Sequence, residues 1–451
     1  MIKIAHLGSF DGNLGDNVAL YNIQKRINEL YESEIIWNKI NLKEFSEKDN
    51  NEDYSCGRFE EISEENDLLI IGGGGMIQDT VSSMGHNVTN ETIPNHFNLP
   101  ITEKTLKSIK IPIICFALGV NTFRIFPKAM KHVLEGDGKI SEIYPLSWTF
   151  ATEAAKSLRL LYEQSVLFSV RDDGSYDKFK KILGHLRDNN SNVEVDFGKL
   201  EEICDPGVIF DFEKDKKDEL NNGLLQPACN GNPNIVNGRT LFAPFMFGDV
   251  LKLYIEKNNL SIFPHTKKDY DLCIPWIEQK MIKDMVKEVH DKRSTVIREQ
   301  LKDDSICDRN RYIFSNEQFE ELVVFENVLE AFKNYLNYDY GCVMRGHGQL
   351  VTIGLNIPCI YFSTQDKLYD YSYKNGFMDY TVDIHPHEDL DPNVLNQEQI
   401  VNKFNELQAK TFDLRTNKEY LAKWYDIRDN VVKSSKLKFD KFCLKVIDYI
   451  S

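Results

Sequence analysis

Short apolar runs alternate along the chain with Gly-rich or polar turns and with helical patterns. The runs of strand length are IKIAHLG (2–8), LLIIGGGG (68–75), IPIICFALG (111–119), VLFSVRD (166–172), TLFAPF (240–245), LSIFPH (260–265), LVVFEN (322–327), YGCVMRG (340–346) and PCIYFST (358–364). Strands rich in Val, Ile and Phe that alternate with helices are typical of parallel sheets covered on both faces. We therefore predict an α/β fold whose ligands bind beyond the carboxyl ends of the strands.

The predicted strands form two groups, separated by a polar stretch rich in Asn, Gly, Pro and Lys. We predict an N-terminal Rossmann-like domain over 1–213 and a linker or surface excursion over 214–239. A second Rossmann-like domain follows over 240–396, and helices occupy 397–451. This organisation predicts two parallel sheets that face a central cleft.

Composition narrows the class of protein. The 451 residues include 42% hydrophobic and 27% charged residues, and the formal net charge is -16. We expect a globular protein without bulk attraction to nucleic acid or anionic lipid, although a local basic patch stays open. No apolar run is long enough to span a bilayer, and no signal sequence is visible at the start. The nine Cys show no CxxC pair, which favours a reducing, cytoplasmic compartment without a zinc or disulfide framework.

The first candidate site is the stretch GSFDGNLGDNVALYNIQKRI (8–27). A strand, a Gly-rich loop and a helix in succession aim backbone N–H groups at an anion or a polar ligand. Asn13 and Asp16 could contact a sugar hydroxyl there, and Asp16 could act as a base. The alternative is that Asp16 or Asn17 only caps the helix.

The second candidate is LLIIGGGGMIQD (68–79), where four glycines follow an apolar strand. Their spacing does not match the dinucleotide-binding pattern. Gly73 and Gly74 could present backbone amides to a substrate, with Asp79 just beyond them. A purely structural turn is the alternative.

Two further candidates carry cations. Arg171 ends a predicted strand beside Asp172 and Asp173, where it could clamp a phosphate or a carboxylate, or simply pair with one of the aspartates. His265 is the last residue of the run LSIFPH, just after the predicted strand, and a surface turn is the alternative for it.

The strongest local pattern is MRGHGQ (344–349), which places Arg345 and His347 between a strand and a helix. A helix N-terminus favours anions, Arg offers a fixed fork, and His can donate a hydrogen bond or a proton. The alternative is a His whose hydrogen bonds are satisfied within the protein at a helix start.

No catalytic triad or nucleophile elbow is apparent, and IHPHED (384–389) is more typical of a polar loop than of a metal site. The charged amphipathic segment 279–303 could touch lipid headgroups, but its interleaved acids favour a solvated helix.

Taken together and in order, these motifs resemble the polysaccharide pyruvyl transferase family. The matching stretches are GNLGDNVAL, IGGGGMIQD, CFALGV, FSVRDDGSYDKF, CDPGVIF, FPHTKKDYD and VMRGHGQLVTIGLNIPCIYFSTQDK, and they span roughly 1–375. Family members usually show an Arg-Leu-His tripeptide, and Gly346 replaces the leucine here. The last 70 or so residues carry no signature of the family.

The resemblance implies a GT-B-like fold and the transfer of a pyruvyl group from phosphoenolpyruvate to a sugar, giving a pyruvate ketal and phosphate. The acceptor would be a cell-surface glycan or its lipid-linked precursor, for example on a polyprenyl diphosphate, with peripheral contact at the inner face of the membrane. No metal or other cofactor is needed for that reaction.

The residues implied for the donor are Arg171, Arg345, His347, Gly346, Gly348, His265 and Lys367. Gly346 and Gly348 would keep the backbone bare for the donor. Asn13, Asp16, Gly73, Gly74 and Asp79 would lie on the acceptor side. His347 and Arg345 would act in catalysis, and Asp16 would be the base.

Two rival functions stay open at this point. A GT-B glycosyltransferase with a nucleotide-sugar donor would share the architecture. A non-catalytic glycan-binding or scaffold protein could also keep the fold.

Overall fold

A computed structural model defines the fold. It describes residues 1–10, 12–46, 52–78, 99–121, 152–184, 187–188, 191–192, 195–227, 244–267, 269, 309–363, 366–383 and 397–451. The predicted helix at 279–303, the stretch 384–389 and Asp79 lie outside these residues.

The first half is built on a six-stranded, entirely parallel sheet. Its chain contains the strands β1 (Ile2–Gly8), β2 (Ile35–Asn41), β3 (Leu68–Gly72), β4 (Ile77–Gln78), β5 (Ile113–Leu118), β6 (Val120–Asn121), β7 (Ser165–Arg171), β8 (Arg187–Asp188), β9 (Ser191–Asn192) and β10 (Leu200–Ile203). The order across the sheet is β10-β7-β5-β3-β1-β2, while β4 pairs with β6 and β8 with β9. The helices are α1 (Leu14–Leu30), α2 (Lys43–Ser46), α3 (Glu52–Glu65), α4 (Glu103–Ser108), α5 (Thr152–Gln164) and α6 (Ser175–Gly184).

The second half contains a five-stranded parallel sheet with the order β12-β11-β13-β14-β15. Its strands are β11 (Gly223–Gln226), β12 (Leu260–Ile262), β13 (Tyr340–Val343), β14 (Cys359–Ser363) and β15 (Thr381–Asp383). Its helices are α7 (Pro244–Lys257), α8 (Asn316–Leu322), α9 (Val328–Lys333), α10 (Gly346–Gly354) and α11 (Asp366–Asn375).

Two long helices complete the chain, α12 (Gln397–Thr416) and α13 (Lys418–Ile450). Helix α12 packs on β14 and β15, whereas α13 also contacts α1 and β10 of the first half. The buried Arg428 of α13 donates from Nε to the carbonyl of Ile353 at 2.8 Å. These contacts tie the two halves together along one helix. In the described part of the chain, no helix is long and apolar enough to cross a membrane.

Apolar burial explains why the strands form where they do. The central strands β3 and β5 are buried at every position, as expected for strands covered by helices on both faces. One large core cluster runs from the first sheet through the second half to α13. Between the halves, the rings of Phe10 and Phe325 lie 5.2 Å apart in an edge-to-face contact. The two halves therefore share an apolar interface beside the cleft.

The predicted architecture of two parallel sheets with helices and a C-terminal helical segment is confirmed.

Three local predictions are corrected. The interval 214–239 contains β11, which is fully buried between two partners in the second sheet. Within TLFAPF (240–245), Pro244 already begins α7. The run LVVFEN (322–327) ends α8 and enters a short 3-10 turn. A capping box at Ser315 starts that helix, and only Leu322 of the run belongs to it. The domain boundaries themselves stay predictions.

Candidate active site

The site forms where the two sheets reverse their winding. Counted along the chain, the first sheet has the order 2-1-3-4-5-6 and the second the order 2-1-3-4-5, with the reversal between β1 and β3 in the first and between β11 and β13 in the second. Loops beyond the carboxyl ends of strands diverge at such switch points and leave a crevice for ligands. The GNLGD loop and the glycine run follow the first pair of strands, and the MRGHGQ stretch follows β13.

The two sets of loops touch each other directly. The backbone N–H of Leu14 donates to the carbonyl of His265 at 3.1 Å, and Asn13 forms an antiparallel bridge with Thr266. A Cβ atom on Gly15 would lie 2.2 Å from Cβ of His347. Only glycine allows the first turn of α1 to approach the first turn of α10 this closely.

His347 lies between two carboxylates of the first half, one from the first turn of α1 and one from the loop after β10. Its Nδ1 is 3.5 Å from Oδ1 of Asp16, and its Nε2 is 3.3 Å from Oδ2 of Asp205. The His347 side chain is 8% exposed. Each ring nitrogen of His347 therefore faces a carboxylate oxygen.

Asn13 is the N-cap of α1. The alternative in which Asp16 or Asn17 caps that helix is therefore wrong. Oδ1 of Asn13 accepts from the N–H of Gly15 at 3.0 Å, and its Nδ2 donates to Oδ2 of Asp16 at 2.8 Å. Both ends of the Asn13 amide are therefore used inside the protein, and Asp16 is directed toward His347. Asn17 instead donates to the carbonyl of Val323.

Arg171 is buried at the carboxyl end of β7. Its Nη1 donates to Oδ2 of Asp205 at 2.6 Å, and its Nη2 lies 3.0 Å from Oδ2 of Asp173. A Cβ atom on Gly119 would lie 2.0 Å from Nη2, so the guanidinium fits only against bare backbone. Burial opposes its charge, but Asp173 and Asp205 raise the pKa of the Arg171 guanidinium.

Asp205 connects these groups. It follows β10, and its Oδ1 accepts from the N–H of Gly207 at 2.9 Å. Burial favours the neutral acid, yet Arg171 and His347 hold the pKa of Asp205 well below its usual range. A permanent buried carboxylate thus faces both Arg171 and His347.

A cavity opens beside this cluster and receives side chains from both halves. Its lining consists of Arg171, Asp173, Asp205, Gly346, His347, Gln349, Leu350, Lys367 and Tyr371. Lys367 comes from α11, and its stem passes over the bare backbone of Gly346, where an added Cβ would lie 2.8 Å from Cε. This contact explains physically why position 346 is glycine, where the family that the sequence resembles usually has leucine.

Among the cationic side chains that line the cavity, Lys367 differs from Arg171 because no carboxylate of the described residues is bound to it. Within the described residues it forms no ion pair with an acidic side chain. Part of the residue remains exposed, yet burial and the nearby Arg171 lower the pKa of its ammonium to about 8. Its positive charge is available for an anion that enters the cavity.

Several residues predicted for the donor lie elsewhere. The Arg345 guanidinium bonds to Oδ1 of Asp269, at 2.5 Å from Nη2, and to the carbonyl of Pro227, at 3.1 Å from Nε. His265 is buried among aromatic rings, its Nε2 lies 2.5 Å from the Tyr335 hydroxyl, and burial lowers its pKa well below the usual value. The structure therefore brings Arg171, His347 and Lys367 together, with Arg345 behind them.

The predicted glycines have separate functions. A Cβ atom on Gly348 would lie 2.3 Å from Oε1 of Gln226, so this glycine serves packing and is not among the residues that line the cavity. Gly73 has φ +85°, a left-handed conformation that favours glycine. A Cβ atom on Gly74 would lie 3.4 Å from Oδ1 of Asp16, which places the glycine run beside that carboxylate.

The sequence interpretation missed Asp205, Gln349 and Tyr371. Asp205 follows the short, partly polar strand β10, whose Glu201 and Glu202 are half-buried, so no apolar run marked that strand. Its position in the Asp-Pro-Gly turn is the signal that could have drawn attention to it. In the described part of the chain, no group of three or more His, Cys, Asp and Glu side chains could hold a metal ion.

Comparison with known families decides the assignment. The sequence model of the family described as polysaccharide pyruvyl transferase matches residues 13–366, well over half of the chain. The chain belongs to this family. The family is therefore one of transferases.

Other comparisons are more distant. No curated protein matches the chain. Among solved structures, an alpha-glucosyltransferase in complex with UDP shares 10% identity at a TM-score of 0.41, covering 100% of this chain and 99% of its own. A Listeria monocytogenes protein assigned as a UDP-N-acetylglucosamine 2-epimerase shares 10% identity at a TM-score of 0.40, covering 98% of this chain and 93% of its own.

Proposed function

We propose that the protein transfers the pyruvyl group of phosphoenolpyruvate to a sugar of a cell-surface polysaccharide or of its lipid-linked precursor. A pyruvate ketal and phosphate would be the products. The observation that supports this most is the cavity in which Lys367, His347 and Arg171 meet beyond the carboxyl ends of strands from both sheets. Membership of the pyruvyl transferase family supports the same reaction.

The cavity offers separate contacts for the two anionic groups of the donor. Lys367 supplies a cation that no carboxylate of the described chain neutralises. The nine-residue helix α10 presents its N-terminus at Gly346 and His347, where backbone N–H groups attract anions. Arg171, held by Asp173 and Asp205, adds a rigid guanidinium. We place the phosphate at Lys367 and α10, and the carboxylate toward Arg171.

The reaction itself needs proton transfers and no redox step. A proton is added to the methylene carbon of phosphoenolpyruvate, and positive charge builds on the neighbouring carbon. A sugar hydroxyl attacks that carbon and loses its proton to a base. The carbon–oxygen bond to phosphate breaks, and phosphate leaves with the electron pair. A second hydroxyl of the same sugar then attacks and loses its proton, which closes the ketal.

We assign the proton transfer to His347 and the deprotonation of the acceptor to Asp16. Asp16 lies between His347 and the glycine run at Gly73 and Gly74, on the side of the first half. Cations that contact the departing phosphate lower the barrier, because charge develops there in the transition state. Arg345 acts indirectly in this scheme: its bonds to Asp269 and Pro227 hold the loop from which α10 starts.

The acceptor completes the proposal. A sugar carried by a polyprenyl diphosphate would place the enzyme at the cytoplasmic face of a membrane, in peripheral contact. The scheme uses phosphoenolpyruvate as co-substrate and no further cofactor.

A binding and turnover experiment tests the proposal. Thermal unfolding would be compared with phosphoenolpyruvate and with a panel of nucleotide sugars, and phosphate release would be measured with lipid-linked sugars as acceptors. We expect phosphoenolpyruvate to stabilise the protein against unfolding and the nucleotide sugars to have no such effect. We also expect the His347→Ala and Arg345→Ala proteins to fold but to lose phosphate release. Stabilisation by a nucleotide sugar and not by phosphoenolpyruvate would favour a glycosyltransferase. Full activity of the His347→Ala protein would refute the assignment of that residue.

A further inference from the structure

We infer that the outer side of α13 is a docking face for a bilayer surface that carries anionic headgroups. The face consists of Lys433, Lys436, Leu437, Lys441 and Leu444, and we refer to it as the α13 face. Nothing in the transfer reaction uses these residues. The inference concerns a surface and does not depend on the identity of the donor.

Helical geometry places these residues together. Positions 433, 437, 441 and 444 follow the four- and three-residue spacing of one helix side, and 436 lies next to them. Leu437 is 71% exposed and Leu444 is 48% exposed. Leucines of this size, repeated one above the other on an exposed helix side, form a surface that water solvates poorly.

The opposite side of α13 is firmly packed. Phe439 and Phe442 are buried and contact the ring of Phe116 in the first sheet, with centroids 5.8 Å and 4.8 Å away. Cys443 and Val446 are buried on the same side. The helix is therefore fixed in its rotation, and the α13 face points away from the core.

The charges of this face contrast with those of the chain. Lys433, Lys436 and Lys441 are exposed and have no acidic partner within the described residues. The neighbouring acid Asp440 is bound by Arg26 at 2.7 Å, and Asp448 lies one turn beyond Leu444. On a chain of net charge -16, three unpaired lysines around two leucines form a patch of opposite sign.

Two lysines at the edge of the face are already engaged. Lys445 lies 2.7 Å from Glu201, and Lys438 lies 3.9 Å from Glu202. The positive charge of the face that an outside partner can neutralise is therefore that of Lys433, Lys436 and Lys441.

A bilayer fits this chemistry better than a second copy of the chain. Leucine side chains enter the boundary between headgroups and acyl chains, while lysines extend toward the phosphates above them. Two copies related by a two-fold axis would bring lysines against lysines. Charge complementarity therefore favours an anionic lipid surface.

Docking on this side would also fix the orientation of the site. The inner side of α13 contacts α1 and α10, the helices that begin at the GNLGD loop and at the MRGHGQ stretch. A membrane against the α13 face would hold those helices at a set height above the headgroups, within reach of an acceptor anchored there.

Vesicle sedimentation with the full chain tests the inference. Vesicles of phosphatidylcholine would be compared with vesicles that also contain phosphatidylglycerol. We expect binding to the anionic vesicles alone and a weakening of about fivefold for each of Lys433, Lys436 and Lys441 that is replaced by Gln. Replacement of Leu437 and Leu444 by Ser should weaken binding at unchanged charge.

A matched control separates the face from net charge. Lys3, Lys181 and Lys257 are exposed on other elements, and their triple replacement by Gln changes the net charge equally. This control should leave vesicle binding unchanged, and circular dichroism would verify that every variant folds. Equal loss of binding in both triple variants, or no binding of the wild type to anionic vesicles, would overturn the inference. Self-association that depends on Leu437 and Leu444 without vesicle binding would also overturn it, in favour of a contact between copies.

Discussion

Nε2 of His347 lies 3.3 Å from Oδ2 of Asp205, and the two residues belong to different halves of the molecule. The same oxygen of Asp205 accepts from Arg171 at 2.6 Å. One carboxylate thus joins a guanidinium at the end of the first sheet to an imidazole at the first turn of α10. The proposed donor site depends on this junction.

Asp205 should contribute strongly to stability. The Asp205→Ala protein leaves the buried Arg171 with one carboxylate fewer, and we expect a loss of about 3–5 kcal/mol in the free energy of unfolding. Urea denaturation measures this loss. Asp379, whose pair with Lys423 is 56% exposed on both sides, is the control, and Asp379→Ala should cost about 0–1 kcal/mol. Equal effects of the two replacements would contradict the role given to Asp205.

The close approach of α1 and α10 gives a second prediction. In Gly15→Ala, the new methyl group meets Cβ of His347, so we expect a loss of about 1–3 kcal/mol and impaired turnover. Gly57 is also helical, in α3, but an added Cβ would have no neighbour within 4 Å. Gly57→Ala should therefore stabilise the protein by about 0.5–1 kcal/mol and leave turnover unchanged. Unimpaired turnover in Gly15→Ala would argue against this contact.

Donor binding should depend on pH through Lys367. Only the ammonium form attracts an anion, and its pKa is lowered to about 8, so affinity for phosphoenolpyruvate should fall as the pH rises from 7 to above 8. The donor phosphate is already at least about nine-tenths dianionic in this range, because the second pKa of a phosphate monoester is about 6. Lys367→Arg keeps the charge at all these pH values and should remove the decline. Binding titrations from pH 7 to pH 9 measure both proteins, and a decline that persists in Lys367→Arg would assign the effect to another group.

The fold was predictable because its central strands are buried on both faces. Runs such as those of β3 and β5 stand out in the sequence for that reason. Strand β11 was missed because it has only four residues and lies within a polar stretch, although it occupies the interior of the second sheet. The run at 322–327 forms no strand, because Leu322 ends a helix that a capping box starts and Phe325 packs against Tyr21 of the first half.

The site was predictable in part for a related reason. Arg171, Asp16 and His347 each follow a strand that the pattern revealed, and parallel strands gather their carboxyl ends at one edge. The partners of these residues were not predictable. Whether Arg345 faced the cavity or Asp269 depended on how the loops of the second half fold together, and whether Asp205 lay near His347 depended on how the two halves dock.

The most direct test of the proposed function is calorimetric titration of phosphoenolpyruvate into the wild type and into Lys367→Met at pH 7. Lys267 serves as the control, since it is 71% exposed and pairs with Glu320 outside the cavity. We predict measurable binding by the wild type and by Lys267→Met, and a loss of at least tenfold in affinity for Lys367→Met, because hydrogen bonds to charged groups contribute about 1.5–3 kcal/mol. Equal affinity of Lys367→Met and the wild type, or no binding by the wild type, would contradict the account.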